Sequence, residues 1–251
     1  MINIDVYPRE PEFQHLLELY PLQPANRFLP DWYKKRKIGK DRLLTQIGAD
    51  QVPPHAKNCP AIAEEILNGV VLPAWTDIQV HINKGDIHVE LPIAQKLWDR
   101  ADLNNTQWIS SHPPAQVEDI QLYKTPQFGI LKLMSPYYFS TPKGYGLSFR
   151  PMPYHYQSNI RFLPGMVETD IWHECNFPFE FTEDISNLST KYIIEAGTPL
   201  AILTPFKKKE KYKVNNNKYS EEFNYKQTTN SVKHFSSSNE WKSFKNYAEE
   251  E

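Results

Sequence analysis

The clearest periodic pattern in the chain is a pair of alternating runs, "TDIQVHINKGDIHVEL", at 76–91. Apolar residues occupy every second position on both sides of "NKGD". Such alternation around a glycine-containing turn predicts a β-hairpin that buries one face. A turn at 83–86 would set the register, and the predicted facing pairs are Ile82 with Ile87, His81 with His88, and Gln79 with Glu90.

Other apolar runs are short and bounded by proline, glycine or asparagine, which is typical of antiparallel strands. Further strands are predicted at 128–134, 145–150, 159–172, 175–181 and 191–206, the last broken by a turn at "EAGTP". The stretch "SPYYFSTPKG", at 135–144, predicts a proline-bounded turn between the first two of these strands.

Helical patterns are few. Residues 12–20, "EFQHLLELY", and 58–69, "NCPAIAEEILNG", each place apolar residues on one side of a short helix. The chain is therefore expected to be mainly β, in the α+β class. We expect a β-sandwich or a partly closed barrel of short strands with a few peripheral helices. Residues 1–206 would form one domain with N-terminal loop and helix decorations.

Composition changes in the polar segment 207–251, which we call the C-terminal arm. It is rich in lysine, asparagine and serine, yet aromatic residues recur through it. One interpretation is a flexible tail. The other is an arm that orders against its own domain or a partner chain, with a short capped helix in "SNEWKSFKNY", at 238–247.

Composition and net charge limit the classes of protein to which this chain could belong. The chain has 21 prolines against 9 glycines, which favours short strands and stiff loops over long helices. A net charge of −2 gives no general attraction to nucleic acid. The N-terminus does not resemble a secretory signal, and no apolar run is long enough to span a membrane. With two cysteines, the expected setting is a reducing cytoplasm.

The stretch "GMVETDIWHECNFPFEF", at 165–181, contains acids, a histidine and a cysteine, which are residue types that can take part in catalysis or bind a metal. A period of two would place four residues on one face, namely Glu168, Asp170, Trp172 and Glu174. The other face would then hold Thr169, Ile171, His173 and Cys175. Paired carboxylates can position water or bind a metal, so Glu168 and Asp170 are the candidate catalytic residues. His173 and Cys175 could ligate a metal or form a thiolate pair. The alternative is that the acids face water and Cys175 lies in the core.

The hairpin offers a candidate metal site. Facing residues have Cβ atoms about 5 Å apart, so His81, His88 and Glu90 would lie together. Two imidazoles and a carboxylate are a known ligand set for a divalent transition metal. The alternative is an ordinary solvent-facing row of polar side chains.

Several common catalytic signatures are missing from the sequence. It has no glycine-rich phosphate loop, no H-E-x-x-H pattern and no G-x-S-x-G nucleophile elbow. Two short basic runs, "KKRK" at 34–37 and "KKKEK" at 207–211, are expected to be solvated surface.

Motif order carries a resemblance to a known family. The motifs are "LPDWYKK", "KNCPAIAEEILNGVVLPAWTDIQV", "TPKGYGLSFRPMP", "FLPGMVETDIW", "CNFPFEF" and "IEAGTPLAILTPFKK". In this order they resemble an uncharacterised family of tailed-phage and bacterial proteins. The resemblance covers most of the chain up to Lys207 and implies no specific activity.

The same middle segment is distantly similar to the trimeric dUTPase and dCTP deaminase superfamily. That likeness implies a β-clip or jelly-roll body, with Glu168 or Asp170 as the acid that activates water and Arg150 as a phosphate contact. The chain departs at Pro151, where a phosphate-binding serine is expected, and at Ile171, where the family has tyrosine. A shared β-body without intact dUTPase chemistry is the implication. Arg150 and Trp172 are the candidate ligand-binding residues.

The leading functional hypothesis is a phage-type soluble protein that serves binding or assembly, as a virion or oligomer component. Its partner would be another copy or another protein, contacted through the C-terminal arm. It would reside in the cytoplasm (a host cytoplasm if phage-encoded) or in the virion. One alternative is a nucleotide-acting enzyme on a dUTPase-like body. The other is a metal-dependent, oxygenase-like β-barrel.

Overall fold

A computed structural model describes residues 2–35, 60–92, 109–112, 130–154 and 159–236 of the chain. The chain divides into two compact units. The first unit combines Met1–Pro30 with Ile66–Glu210, and the second combines Asp31–Glu65 with Lys211–Glu251.

The first unit is built from short antiparallel strands. In chain order they are β1 Asp5–Pro8, β2 Gln23–Pro24, β3 Val70–Pro73, β4 Ile78–Asn83, β5 Asp86–Glu90, β6 Ile109–Ser111, β7 Leu131–Ser140, β8 Tyr145–Pro151, β9 Ile160–Phe162, β10 Gly165–Val167, β11 Glu174–Phe181, β12 Ser189–Ile194 and β13 Pro199–Lys207. One α-helix, α1 at Gln14–Leu19, follows a 3₁₀ turn at Pro11–Phe13. A second 3₁₀ turn spans Ala25–Phe28.

The described strands form three antiparallel sheets. The first has the order β1-β7-β11-β9, with β6 also paired to β7. The second has the order β10-β8-β13-β3-β2, and the third has the order β12-β4-β5. These sheets do not close into a barrel. The expected mainly β, sandwich-like fold with few helices is confirmed, whereas the partly closed barrel is not observed.

Aromatic side chains join the sheets within the larger of two hydrophobic clusters formed by the described residues. Phe177 of β11 meets Phe149 of β8 with ring centroids 5.3 Å apart, which connects the first and second sheets. Phe181 of β11 lies 6.4 Å from Tyr192 of β12, at the third sheet. Tilted and edge-to-face pairs at these distances add stability beyond the area that they bury.

The hairpin predicted at 76–91 is confirmed in detail. β4 and β5 pair with His81 opposite His88, and Ile82 opposite Ile87. Lys84 and Gly85 form the turn with φ values of +50° and +88°. Two consecutive positive φ angles are the mark of a type I′ hairpin turn, whose twist matches that of the flanking strands.

The predicted turn over 135–144 is wrong in its first part, because β7 continues to Ser140. The chain turns only after that, where the N–H of Tyr145 donates to the carbonyl of Pro142 at 3.0 Å. Pro136 is accommodated by a bulge in β7 itself, where residues 135–137 lie opposite the single residue Cys175 of β11. The register of β11 against β7 shifts between Glu174, opposite Tyr138, and Asn176, opposite Met134. A residue without an N–H is tolerated at such a bulge, so the proline does not end the strand.

The predicted strand over 159–172 is also wrong in its second half. β9 and β10 occupy 160–162 and 165–167, and the backbone then turns at Thr169–Ile171. The N–H groups of Ile171 and Trp172 both donate to the carbonyl of Glu168, at 3.0 and 2.9 Å. These local bonds replace strand pairing, so the period-two faces predicted for 168–175 do not form.

The second unit contains helices within its described residues. They are α2 at Asp31–Lys35 and α4 at Glu221–Ser236, with α3 at Pro60–Leu67 spanning the division between the units. The helices predicted at 12–20 and 58–69 are confirmed as the turn-plus-α1 segment and as α3. The helix predicted at 238–247 lies outside the described residues. No helix in the described part of the chain is both long and apolar enough to cross a membrane.

Candidate functional site

The two candidate catalytic acids lie on one turn and hold a common lysine. Lys208, the first residue after β13, places its Nζ 2.5 Å from Glu168 Oε2 and 2.9 Å from Asp170 Oδ1. The N–H of Gly144 donates to the other oxygen, Asp170 Oδ2, at 2.8 Å. The Lys208 N–H donates to the carbonyl of Gly144, also at 2.8 Å. We call Gly144, Glu168, Asp170 and Lys208 the lysine clamp.

Burial differs among the members of the lysine clamp. The side chains of Lys208 and Asp170 are 8% and 6% exposed, whereas that of Glu168 is 60% exposed. An ammonium group this enclosed requires opposite charges nearby, and the two carboxylates supply them. The pair Lys208–Asp170 is therefore the enclosed part of the clamp, and Glu168 closes it from the solvent side.

Two threonines support the turn from beneath. Thr141 Oγ1 donates to the carbonyl of Tyr145 at 3.0 Å, and it lies 2.7 Å from Thr169 Oγ1. A hydroxyl has one hydrogen, so Thr169 must be the donor to Thr141. Thr169 is fully buried. Its hydroxyl ties the turn that carries both acids to the loop between β7 and β8.

The electrostatics of the clamp favour its charged form. The hydrogen bond from Lys208, aided by the N–H of Gly144, lowers the pKa of Asp170. Glu168 first, and then Asp170, raise the pKa of Lys208. Since both oxygens of Asp170 are already bonded within the protein, its carboxylate is an anchor in this state rather than a base facing a substrate.

Arg150 lies farther along the same sheet. Val167 of β10 faces Leu147 of β8, and Arg150 comes three residues later, opposite Ile202 of β13. Three strand residues span about 10 Å. Partial burial lowers the pKa of the Arg150 guanidinium. The structure thus brings Glu168 and Asp170 together on the turn that follows β10. It places Arg150 away from the end of β10 at which that turn begins.

Trp172 is exposed, and it follows the clamp residue Asp170 by two positions in the chain. Met166, Ile171 and Trp172 are 64%, 72% and 62% exposed. We call these three residues the rim patch. They fall within seven positions of the chain, on β10 and the turn that carries both clamp acids.

Cys175 and His173 do not form a reactive pair. Cys175 lies in the hydrophobic core, and burial raises the pKa of its thiol to about 12. At neutral pH it is therefore a buried thiol without nucleophilic character. His173 faces another strand, where its Nδ1 donates to the carbonyl of Phe139 at 3.0 Å. Cys59 lies outside the described residues.

The hairpin brings its two histidines and one acid together on its outer face. His81 Nε2 lies 3.6 Å from Glu90 Oε2, and His88 Nε2 lies 3.3 Å from Glu90 Oε1. Within the described residues, however, no group of three histidine, cysteine, aspartate or glutamate side chains has an arrangement that could hold a metal ion. Glu90 thus lies near both imidazoles, but Nε2 of His81 is too far away for a hydrogen bond to it and has no other hydrogen-bond partner in the described part of the chain.

The C-terminal arm begins at the clamp, and the apolar side chains of its described part, between 212 and 225, are exposed. Tyr212, Val214, Tyr219, Phe223 and Tyr225 are between 71% and 84% exposed. Residues 210–220 carry no helix or strand, and α4 follows them. The basic run 207–211 is not uniformly solvated as expected, because Lys208 is enclosed. In the other basic run, Lys34 and Lys35 are exposed, while residues 36 and 37 lie outside the described residues.

Sequence reasoning missed both Lys208 and α4. The signal for α4 is present as "SEEF", because Ser220 caps the helix by accepting the N–H of Phe223 at 3.2 Å, and two acids occupy the first turn. Lys208 gives no such signal, since its partners lie 38 and 40 positions away in the chain.

Comparisons with protein-family models, with curated proteins and with solved structures found no match for this chain. The function is therefore argued from the chain's own residues.

Proposed function

We propose that this chain is a binding or assembly protein whose C-terminal arm docks onto a neighbouring protein molecule. One observation carries the proposal, which is the row of five large apolar side chains exposed between Tyr212 and Tyr225. Single exposed apolar residues are ordinary, but five within fourteen positions form a contiguous feature of the chain.

The residue types in this row suit an interface. Three of the five are tyrosines and one is a phenylalanine. Aromatic residues are enriched at interface cores and among the residues that dominate binding energy. Fully burying one such side chain stabilises a complex by roughly 1.5–3 kcal/mol. A partner that covers several of them supplies enough free energy for specific binding after the loss of freedom on association.

The lysine clamp supports this function by fixing the start of the C-terminal arm. The enclosed Lys208 ammonium holds that residue against the turn that carries Glu168 and Asp170. Lys209, with a φ of +59°, then redirects the backbone. An arm with a fixed first residue loses less conformational freedom on binding than one that begins in a flexible linker.

The two enzyme interpretations receive less support. Both oxygens of Asp170 are bonded, to Lys208 and to Gly144. Arg150 lies about 10 Å along β8 from Leu147, the residue that faces Val167 at the end of β10. The resemblance of the motif order to tailed-phage proteins is compatible with a component of a virion or another oligomer.

The test compares the wild-type chain with an arm variant, Tyr212→Ser/Tyr219→Ser/Phe223→Ser. All three side chains are exposed, so the substitutions leave the fold intact. A matched control, Leu19→Ser/Ile193→Ser, removes two exposed apolar side chains elsewhere. Sedimentation velocity and affinity recovery from the source cell are the measurements, and we expect the arm variant alone to lose complexes that the wild type and the control form.

Two outcomes would overturn the proposal. A wild-type chain that stays monomeric at high concentration and recovers no partner has no binding function of this kind. Equal complex formation by the wild type and the arm variant would place the interface elsewhere. A thermal shift with a nucleotide and Mg²⁺, in a chain that forms no complex, would favour the nucleotide-acting enzyme instead.

A further inference from the structure

We infer that the neighbour bound by the C-terminal arm is a second copy of this chain, which receives the arm on its rim patch. This inference rests on the proposed function, because it names the partner and the surface for the same arm. The relation would be reciprocal, with each copy giving one arm and accepting one.

The rim patch has the chemistry that the arm requires. Met166, Ile171 and Trp172 are each more than 60% exposed and fall within seven positions, so this segment of the first unit offers three apolar side chains to a partner. Tryptophan is among the residues that most often dominate interface energies, and methionine adapts its shape to a partner. A surface of this kind fits the tyrosines and the valine at the start of the arm.

Charge separates along the chain in a way that favours another copy as the partner. Residues 209–218 contain four lysines and one glutamate, which gives a charge of +3. Residues 1–208 contain 20 lysines and arginines against 23 acids, which gives −3. Residues 209–218 and residues 1–208 therefore carry net charges of opposite sign. Such complementarity accelerates encounters between copies and helps to set their register.

The position of the rim patch supports a reciprocal exchange. Ile171 lies next to Asp170, and Asp170 holds Lys208, the residue from which the arm extends. The acceptor surface and the start of the arm therefore adjoin on one copy. In a pair related by two-fold symmetry, an arm that reaches the partner's rim patch implies that the partner's arm reaches the first copy's rim patch. Each contact then occurs twice.

Three full-length variants test the inference. The patch variant, Met166→Ser/Ile171→Ser/Trp172→Ser, removes the acceptor surface and keeps the arm. The arm variant keeps the acceptor surface and loses Tyr212, Tyr219 and Phe223. The control is Leu19→Ser/Ile193→Ser. All substituted side chains are more than half exposed, so loss of folding is not the expected cause of any change.

We expect both the patch variant and the arm variant to weaken self-association by about 100-fold or more in sedimentation velocity, as the loss of several central aromatic contacts does. The control should match the wild type. An equimolar mixture of the two variants should form a complex that neither forms alone, because one intact arm then meets one intact patch.

Isotope-resolved cross-linking locates the contact. A ¹⁵N-labelled chain with Tyr219→p-benzoylphenylalanine is mixed with unlabelled wild type and irradiated. Cross-links between the labelled arm and the unlabelled 165–173 segment would support the inference. Labelled arms joined only to labelled patches would show contact within one chain and would overturn it.

The remaining outcomes separate this inference from the proposed function. A patch variant that self-associates like the wild type overturns the assignment of the acceptor surface. If the arm variant nevertheless loses self-association, the result still supports an interface that depends on the arm. A monomeric wild type that binds a different protein through the arm overturns the second copy as partner and leaves the proposed function standing. A wild type that binds nothing overturns both.

Discussion

At the scale of single residues, Lys208 is the residue that decides the role of the two candidate catalytic acids. Its Nζ engages Glu168 and Asp170, which converts two candidate catalytic acids into the anchor of one chain segment. The sequence predicts that the two acids lie close together, since they are two positions apart. It does not predict their partner, because that contact depends on how β8, β10 and β13 are arranged side by side.

The lysine clamp should make stability depend on pH at both extremes. The pKa of Asp170 is below its ordinary value of 3.8, so its contribution is present above that value and is lost as pH falls through the lower folded pKa. The pKa of Lys208 is above its ordinary value of 10.5, so its contribution is complete below 10.5 and is lost as pH rises through the raised pKa.

Asp170→Asn tests this dependence by removing the charge and keeping the shape. We expect the variant to be less stable to urea than the wild type between about pH 5 and pH 9. The difference should shrink as pH falls below the ordinary pKa of 3.8, because the carboxylate of the unfolded chain then binds a proton before that of the folded chain. Glu168→Gln is the matched comparison and should have a smaller effect, because Glu168 is solvent-screened. A constant difference from pH 3 to pH 9 would show that Asp170 does not act through its charge.

The thiol of Cys175 gives a second prediction at this scale. Burial raises its pKa to about 12, so in a Cys59→Ser variant it should resist alkylation at about pH 8 and react only when urea unfolds the chain. Electrospray mass spectrometry of the alkylated protein measures this, and Cys175→Ser/Cys59→Ser serves as the blank. Rapid, stoichiometric alkylation of the folded variant would contradict the placement of β11 in the core.

At the scale of elements, the hairpin is predictable and its neighbours are less so. Alternation with an intervening glycine determines the register of β4 and β5, because a slip of one residue would expose the whole apolar face. By contrast, β7 runs through Pro136 because β7 itself bulges at 135–137 opposite Cys175 of β11. The apolar pattern of one segment does not show how it will pair with a strand about 40 positions away, so the bulge could not be predicted. The same limit explains why 168–172 folds as a turn, since its buried hydroxyl pair involves Thr141 from another segment.

The hairpin turn offers a stabilising substitution. Lys84 holds a φ of +50°, a conformation that asparagine adopts more readily than lysine, and its side chain is exposed. Lys84→Asn creates the Asn-Gly pair favoured in type I′ turns, and we expect a gain in unfolding free energy of up to about 1 kcal/mol.

Urea denaturation measures that gain, and Gly85→Ala is the matched opposite. With a φ of +88°, residue 85 disfavours any side chain, so this variant should be less stable than the wild type. If both variants shift stability in the same direction, the turn geometry assigned to the hairpin is incorrect.

At the scale of the whole molecule, the mainly β class follows from the many short apolar runs and the high proline content, and the three antiparallel sheets confirm it. The arm's polar composition predicts its separation from the β-rich part but not α4, whose cap at Ser220 lies in a segment without apolar periodicity. The proposed acceptor surface could not be predicted from the sequence, because the exposure of Ile171 and Trp172 depends on the turn that replaces a predicted strand.

Because residues 209–218 and residues 1–208 carry net charges of opposite sign, association between copies should depend on salt concentration. We expect the dissociation constant between copies to rise as NaCl increases from about 50 mM to about 500 mM, since screening shortens the range of attraction. Isothermal dilution calorimetry or sedimentation across this series measures the change. A dissociation constant that falls with salt would indicate that the contact is apolar throughout and that residues 209–218 do not contribute through charge.

Sedimentation equilibrium of the full chain beside the arm variant tests the central claim most directly. The wild type should have an average mass that rises with concentration from 29.4 kDa toward twice that value, while Tyr212→Ser/Tyr219→Ser/Phe223→Ser remains at the monomer mass. A wild type that stays at 29.4 kDa at every concentration, or an arm variant that gains mass equally, would contradict the account.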